Sequence, residues 1–180
     1  MYDIIIIGGS AHAHEPFSKA LACHFEDGQF ILFTSNFGAL RFKKWMHEIG
    51  VTTRVTPVET MSLLYATRAN KPGEVSCFGI KNQLPAAALP ARRTSEFMNL
   101  IHPVFPQFTA AENVWTTSIN NLNPIVHPPM VLFNAGRIES TGGKGWNLYA
   151  DGATESVCKV MLGMDAERMA LLEPISSGRL

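Results

Sequence analysis

An asparagine and a histidine lie four residues apart, at Asn123 and His127. On a helix this spacing puts both side chains on one face, one turn apart. A carboxamide beside an imidazole can hold a carbonyl or imine group, and the imidazole can donate a proton as charge develops on the heteroatom. The alternative is structural: because Pro128 and Pro129 follow it, His127 could end a helix and cap its last carbonyl groups.

A second candidate site is the turn Gly8-Gly9-Ser10, which follows a short β-branched segment. A glycine turn between a strand and a helix directs backbone N–H groups toward a bound phosphate or ribose, and this makes Ser10 and Ala11 candidate cofactor-binding residues. A plain connecting turn is the alternative. The turn lacks the third glycine of the G-x-G-x-x-G fingerprint, and no acidic residue follows the next predicted strand after Phe33.

Polar side chains also follow the third predicted strand, at Glu59 and Thr60. Ligands of open α/β sheets bind beyond the carboxyl ends of the strands, so both residues are candidates for contact with a cofactor; a helix cap is the alternative. His12 and His14 are spaced by two and are joined by no cysteine or carboxylate pattern beyond Glu15. The sequence therefore predicts no metal site.

The elements that must position these residues follow from the hydrophobic periodicity. Strands are predicted at residues 3–7, 29–34, 51–55 and 75–80, and helices at residues 13–25 and 39–49. Strands that alternate with helices indicate a parallel, right-handed α/β sheet. From residue 94 onward the periodicity is helical, with segments at 112–126, 131–138 and 157–172. The predicted fold class is α/β followed by all-α.

Composition narrows the possible functions. The 180 residues, 46% of them hydrophobic, suffice for one domain or two small lobes. Fifteen basic and fifteen acidic residues cancel without forming a cluster, which argues against nucleic acid and anionic membranes as partners. No unbroken apolar run is longer than four residues, the length of Ile4–Ile7, which is too short to span a bilayer. Three widely spaced cysteines favour a reducing compartment, so a cytoplasmic location is predicted.

Four spaced blocks of the chain are similar, in the same order, to the octopine/nopaline type of opine dehydrogenase, and the resemblance runs from about residue 3 to residue 170. The first block is Ser-Ala-His-Ala-His-Glu at residues 10–15, with residues 27–29 and 37–40. The second is residues 59–68, and the third is residues 72–75, Lys81, 86–91 and 105–108. The fourth is Thr-Ser-Ile-Asn-Asn-Leu-Asn at residues 117–123, with His127-Pro128, 132–139 and 165–168.

The resemblance implies an oxidoreductase that uses NAD or NADP to condense an α-keto acid with an amino acid reductively. It implies that His127 is the catalytic proton donor and Asn123 its neighbour, and it places Thr67 and Asn120 at substrate-binding positions. The implied fold is the C-terminal part of a Rossmann-like dinucleotide-binding domain at residues 1–88. A truncated helical domain, similar to that of 6-phosphogluconate dehydrogenase, follows at residues 89–180.

Departures from the family pattern lead to two alternatives. The opening strand resembles the family's fourth, which implies an incomplete cofactor site, and residues 173–180 are not expected to continue the pattern toward the carboxylate partner of the histidine. One alternative is a truncated or split dehydrogenase that acts as a homodimer or with a chain supplying the missing nucleotide-binding segment. The other is a non-catalytic dimerisation or partner-binding module, because bare sheet edges and helix faces expose apolar surface. The substrate pocket and catalytic helix are also expected to differ, through Leu64, Thr67 and Pro124.

Overall fold

The structure is a computed structural model that describes the backbone of residues 3–176 and the side chains of residues 3–172. The chain divides into two compact units, Met1–Asn120 and Asn121–Leu180. The predicted boundary between residues 88 and 89 therefore lies inside the first unit. Two helices and a short strand from the predicted helical lobe, all within residues 94–119, belong to that unit as well.

Within its described residues, the first unit contains seven strands and four α-helices. The strands are β1 (Ile4–Ile7), β2 (Phe30–Phe33), β3 (Thr56–Thr60), β4 (Tyr65–Lys71), β5 (Glu74–Ile80), β6 (Leu84–Ala88) and β7 (Phe108–Ala110). The helices are α1 (Ala11–Leu21), α2 (Gly38–Glu48), α3 (Thr94–Ile101) and α4 (Val114–Ile119), with short 3-10 turns at Ala22–His24 and Ala91–Arg93. Five strands form one sheet in the order β1-β2-β3-β6-β7, and β4 and β5 form a separate hairpin.

The strand β2 shows why this sheet lies inside the unit. Its residues alternate between two hydrophobic clusters: Phe30 and Leu32 pack with side chains of α3, whereas Ile31 and Phe33 pack with side chains of α2. All four residues are buried. A strand covered by helices on both faces reads as a continuous apolar run, which is the pattern that predicted it.

The predicted α/β fold with a parallel sheet is confirmed for β1, β2 and β3. Two details differ. The sheet is mixed, because β6 runs antiparallel to β3. The third strand was predicted at residues 51–55 and is observed at Thr56–Thr60. The β-branched segment before it is a loop. Val55 in this loop packs against side chains of α2. Arg54 donates hydrogen bonds from its backbone N–H and its guanidinium to the carboxylate of Asp27.

The second unit is entirely helical over its described part, as the periodicity predicts. It contains α5 (Asn123–Leu132), α6 (Ala135–Thr141), α7 (Leu148–Asp151) and α8 (Glu155–Ser176). The single helix predicted at residues 112–126 is two helices, α4 and α5, separated at residues 120–122. Pro124 lies in the first turn of α5. A backbone N–H at this position would have no acceptor within the helix, so the proline costs no hydrogen bond. Over the described range, no helix has the length and apolar character needed to cross a membrane.

Candidate functional site

Three strand ends meet at one edge of the sheet, because β1, β2 and β3 are parallel. Ser10, after β1, occupies the N-cap position of α1 but makes no capping hydrogen bond with its side chain, and Ala11 is the first residue of that helix. Both residues are exposed. Thr60 is the last residue of β3 and Glu59 the one before it. The four residues predicted to bind a cofactor therefore belong to this edge, although two are exposed and two are buried.

Glu59 is a buried carboxylate with three donors. It accepts hydrogen bonds from the backbone N–H of Ala39 at 3.0 Å, from the hydroxyl of Thr117 at 2.8 Å and from the hydroxyl of Ser118. Burial raises the pKa of Glu59, and the hydrogen bonds from Ser118 and Thr117 partly oppose that rise. The Ser118 hydroxyl also accepts from the N–H of Phe37 at 3.0 Å. Glu59 thus joins β3 to the start of α2 and to α4.

The turn between β2 and α2 is constrained by packing as well as by Glu59. Phe37 has a φ of 59°, in the left-handed region that a bulky side chain rarely adopts. Gly38 follows it, and a Cβ built there would lie 2.5 Å from the Cβ of Phe33. Local sequence does not reveal what fixes this turn, because its two partners, Glu59 and Ser118, are far away along the chain.

A cavity of about 310 Å³ lies within the first unit, on the side of the sheet that carries α3. Its walls are mainly apolar, with Ile6 and Tyr65 among them, and three threonines reach it: Thr34, Thr60 and Thr67. The Thr34 hydroxyl is buried and has no hydrogen-bond partner among the described residues. An apolar cavity of this size with a few polar groups is typical of small-molecule sites. Two predicted site residues, Thr60 and Thr67, therefore line the same cavity.

The predicted catalytic pair lies on α5 in the second unit. Asn123 is exposed at the first position of α5, where its N–H donates to Oδ1 of Asn121 at 3.0 Å, and His127 lies one turn further on. The alternative that His127 ends a helix is wrong, because α5 continues through Pro128 and Pro129 to Leu132. The imidazole is partly exposed, so a ligand can reach it. Asn120, predicted to bind substrate, is the half-buried C-cap residue of α4 in the first unit.

The imidazole of His127 has a partner that the sequence did not predict. Its Nε2 lies 2.9 Å from the hydroxyl oxygen of Tyr149, and the two rings meet edge to face with their centroids 5.9 Å apart. Tyr149 belongs to the short helix α7, whose N-cap Asn147 accepts hydrogen bonds from the N–H groups of Tyr149 and Ala150. An asparagine at the N-cap position is a sequence signal that could have predicted the start of α7. No periodicity links residues 22 positions apart, so the contact between His127 and Tyr149 could not be predicted from the sequence.

Comparison with known proteins identifies relatives of this chain. An opine dehydrogenase from Arthrobacter sp. (strain 1C) is 37% identical over 171 residues, which are 94% of this chain and 47% of that protein. The sequence profile for "NAD/NADP octopine/nopaline dehydrogenase, alpha-helical domain" matches residues 110–179. The chain is therefore similar in sequence to the octopine/nopaline dehydrogenases. It spans about half the length of the curated relative it matches. Because the profile extends to residue 179, the prediction that residues 173–180 leave the family pattern is wrong for all but the last of them.

Solved structures with a similar fold are also found. Octopine dehydrogenase with NADH and pyruvate is 26% identical, with a TM-score of 0.57 over 79% of this chain and 36% of that one. Yersinopine dehydrogenase with NADP+ bound is 14% identical, with a TM-score of 0.60 over 73% of this chain and 33% of that one. A PanE/ApbA family ketopantoate reductase from Ralstonia eutropha JMP134 is 15% identical, with a TM-score of 0.59 over 98% of this chain and 52% of that one. The last two show the fold alone, and all three confirm a Rossmann-like sheet with a helical domain.

Proposed function

We propose that this chain carries the catalytic histidine and part of the nicotinamide-binding surface of an opine dehydrogenase, which condenses an α-keto acid with an amino acid using NADH or NADPH. The observation that carries the proposal is the placement of His127. It lies inside the stretch that matches the helical domain of the family, in the middle of a helix, with its imidazole partly exposed. A side chain held on a rigid helix and open to a ligand suits general acid catalysis.

The reaction assigns a proton to His127. The amino group and the keto group lose water to form an imine, and the reduced nicotinamide supplies a hydride for the imine carbon. The imine nitrogen then needs a proton, which the imidazolium of His127 donates from a ring nitrogen. Asn123, one turn earlier on α5, offers a carboxamide that can orient the reacting group.

Residues of the first unit fit part of a nicotinamide dinucleotide. The turn before α1 is open, since a Cβ at Gly8 would meet nothing within 4 Å, and the exposed Ser10 and Ala11 begin an eleven-residue helix whose N–H groups can bind a phosphate or ribose. The orphaned hydroxyl of Thr34 offers a further contact. Thr60 adds a hydroxyl at the same edge. Glu59 would act through the turn it holds, because its carboxylate is enclosed.

The remaining binding groups would come from elsewhere. The G-x-G-x-x-G fingerprint does not occur in the 180 residues, so we propose that a segment outside these residues holds the pyrophosphate. Thr67, in the wall of the cavity, and Asn120 are proposed to contact the keto acid or the amino acid. The free cysteines support the proposal of a reducing, cytoplasmic location.

A direct assay tests this function. The purified chain is given NADH or NADPH, pyruvate or another α-keto acid, and a panel of amino acids, while cofactor absorbance is followed and products are weighed by mass spectrometry. We expect cofactor oxidation that requires both substrates, and a product with the mass of the condensed pair plus two hydrogens. His127→Gln should slow the reaction by roughly 10²–10⁴-fold, whereas His24→Gln, at an exposed 3-10 turn, should leave it unchanged. Equal rates for His127→Gln and wild type would overturn the assignment of the proton donor.

A partner-binding module is the second candidate, favoured by the edge of the sheet. Among the described residues β1 pairs with β2 alone, and Ile6 on this strand is 49% exposed. An open strand edge beside exposed apolar surface favours association with another chain. Light scattering after gel filtration, together with NADH fluorescence titration, separates the candidates. A stable dimer without saturable NADH or NADPH binding supports the module, and saturable binding supports the dehydrogenase.

A further inference from the structure

The cavity within the first unit carries information about the amino acid substrate. It has a volume of about 310 Å³, and no charged side chain is among the described residues that line it. We propose that this cavity holds the side chain of the amino acid and selects aliphatic or aromatic side chains over cationic ones. The reaction in this inference rests on the proposed function, whereas the selectivity rests on the cavity.

The walls of the cavity are mostly hydrocarbon. Ile6 and Leu32 reach it from β1 and β2. Leu63 and Leu64 reach it from the segment that follows β3, and Phe105 from the segment that precedes β7. A hydrocarbon side chain that enters the cavity leaves water for apolar contacts, and each buried methylene should strengthen binding by about fourfold. The walls therefore favour a side chain such as that of leucine or phenylalanine.

Two hydroxyl groups of the cavity belong to the carboxyl edge of the sheet. Thr60 ends β3, and its hydroxyl donates to the carbonyl oxygen of Ser62 at 2.8 Å. Thr34 follows β2, and its buried hydroxyl has no hydrogen-bond partner among the described residues. A buried hydroxyl of this kind is available to a group of a ligand or to a water molecule. Because the cofactor is proposed to bind along this edge, the apolar walls are left for the side chain of the substrate.

Cationic side chains meet two obstacles in this cavity. A guanidinium or ammonium group would lose its water there, and none of the described residues at the walls offers a carboxylate to compensate for that loss. A lysine also lies beside the wall: the N–H of Lys81 donates to the carbonyl oxygen of Leu64 at 3.0 Å, and its Nζ donates to the hydroxyl of Ser62 at 2.6 Å. A second cation brought to this wall would be repelled by the first. A neutral side chain meets neither obstacle.

Binding measured by NMR tests the selectivity without requiring activity. The chain is prepared with ¹³C-labelled leucine methyl groups, and the signals of Leu63, which lines the cavity, are assigned as those that disappear in Leu63→Glu. L-phenylalanine and L-arginine are titrated separately, each with and without NADH or NADPH. We expect saturable shifts of the Leu63 signals with phenylalanine, and binding of arginine that is at least about tenfold weaker. Equal affinities, or no shift of these signals with phenylalanine, would overturn the inference.

A single substitution at the wall should move the preference toward arginine. Leu63 is 53% exposed at the cavity, so the fold should accept Leu63→Glu, which adds a carboxylate to the wall. In titration calorimetry, phenylalanine should bind about tenfold more weakly because an apolar contact is lost, and arginine up to about fivefold more tightly through one partly exposed ion pair. Leu100→Glu is the matched control and should alter neither affinity, because Leu100 is 40% exposed on α3 and does not line the cavity. Unchanged binding of phenylalanine to Leu63→Glu would place the side chain elsewhere.

Failure of the proposed function would look different from failure of this inference. In the condensation assay we expect kcat/KM for phenylalanine or leucine to exceed that for arginine by at least about tenfold. The expected binding pattern without oxidation of the cofactor would reject the dehydrogenase and leave the selectivity of the cavity standing. Oxidation of the cofactor with arginine as the preferred amino acid would support the function and overturn this inference.

Discussion

Two titratable side chains, Glu59 and His127, differ in how the protein surrounds them. The carboxylate of Glu59 is buried and has three donors from two helices, whereas the imidazole of His127 is partly exposed and is bonded to Tyr149. A buried group whose two oxygens both accept hydrogen bonds from neighbouring elements holds the fold together and has little capacity left for a ligand. An imidazole with one nitrogen in a hydrogen bond is oriented, and its other nitrogen can still contact a ligand. The comparison assigns structure to the first residue and chemistry to the second.

Removal of the buried carboxylate should have the largest effect on stability. Glu59→Ala leaves the N–H of Ala39 and the hydroxyls of Thr117 and Ser118 without their acceptor and opens a cavity. We expect a loss of about 3 kcal/mol or more in the free energy of unfolding, measured by urea denaturation followed by circular dichroism. A loss below about 0.5 kcal/mol, the usual range for surface substitutions, would show that the cluster does not hold the fold.

The close packing at the start of α2 should be the next most sensitive point. Gly38→Ala places a methyl group 2.5 Å from the Cβ of Phe33, on a strand that cannot move freely, and we expect a cost of about 2 kcal/mol. Gly163→Ala in α8 is the matched control, because a Cβ there meets nothing within 4 Å and alanine favours a helix. Equal stability of the two variants, in the same urea experiment, would mean that α2 can shift away from the sheet.

The charge of Glu59 should make stability depend on pH. Burial raises the pKa of Glu59 above its ordinary value of 4.5, so the folded chain holds the proton more tightly than the unfolded chain. The stability contributed by this group is fully present below pH 4.5 and is lost as the pH rises through the raised value. Glu59→Gln does not titrate, so the stability of wild type minus that of this variant should fall as the pH rises. A difference that is constant with pH would contradict the raised pKa.

Replacement of the exposed histidine should have the smallest effect on stability. His127→Gln gives up a single hydrogen bond on a partly exposed surface, so we expect the free energy of unfolding to change by less than about 0.5 kcal/mol while the condensation rate falls. Urea denaturation and the activity assay on the same preparation test this separation. A stability loss as large as that of Glu59→Ala would place His127 with the structural residues and end the contrast.

The sequence alone determined the fold class, the helical nature of the second unit and the resemblance to the octopine/nopaline dehydrogenases. These follow from local signals: apolar runs of four residues in β1 and β2, glycine turns, and helical spacing in α5 and α8. The spacing of Asn123 and His127 also placed both on one helix, because four residues make about one turn wherever that helix lies.

Only the tertiary structure decided which partners these residues have. Glu59 was predicted beyond a strand end facing a cleft; the strand begins five residues later than predicted, and the carboxylate turns inward to Thr117 and Ser118, nearly sixty residues away. Likewise, the bond from His127 to Tyr149 depends on how Asn134 ties α5 to the end of α7. Periodicity reports the face of an element on which a side chain lies. The residue opposite that face is set by packing between elements, which local sequence does not encode.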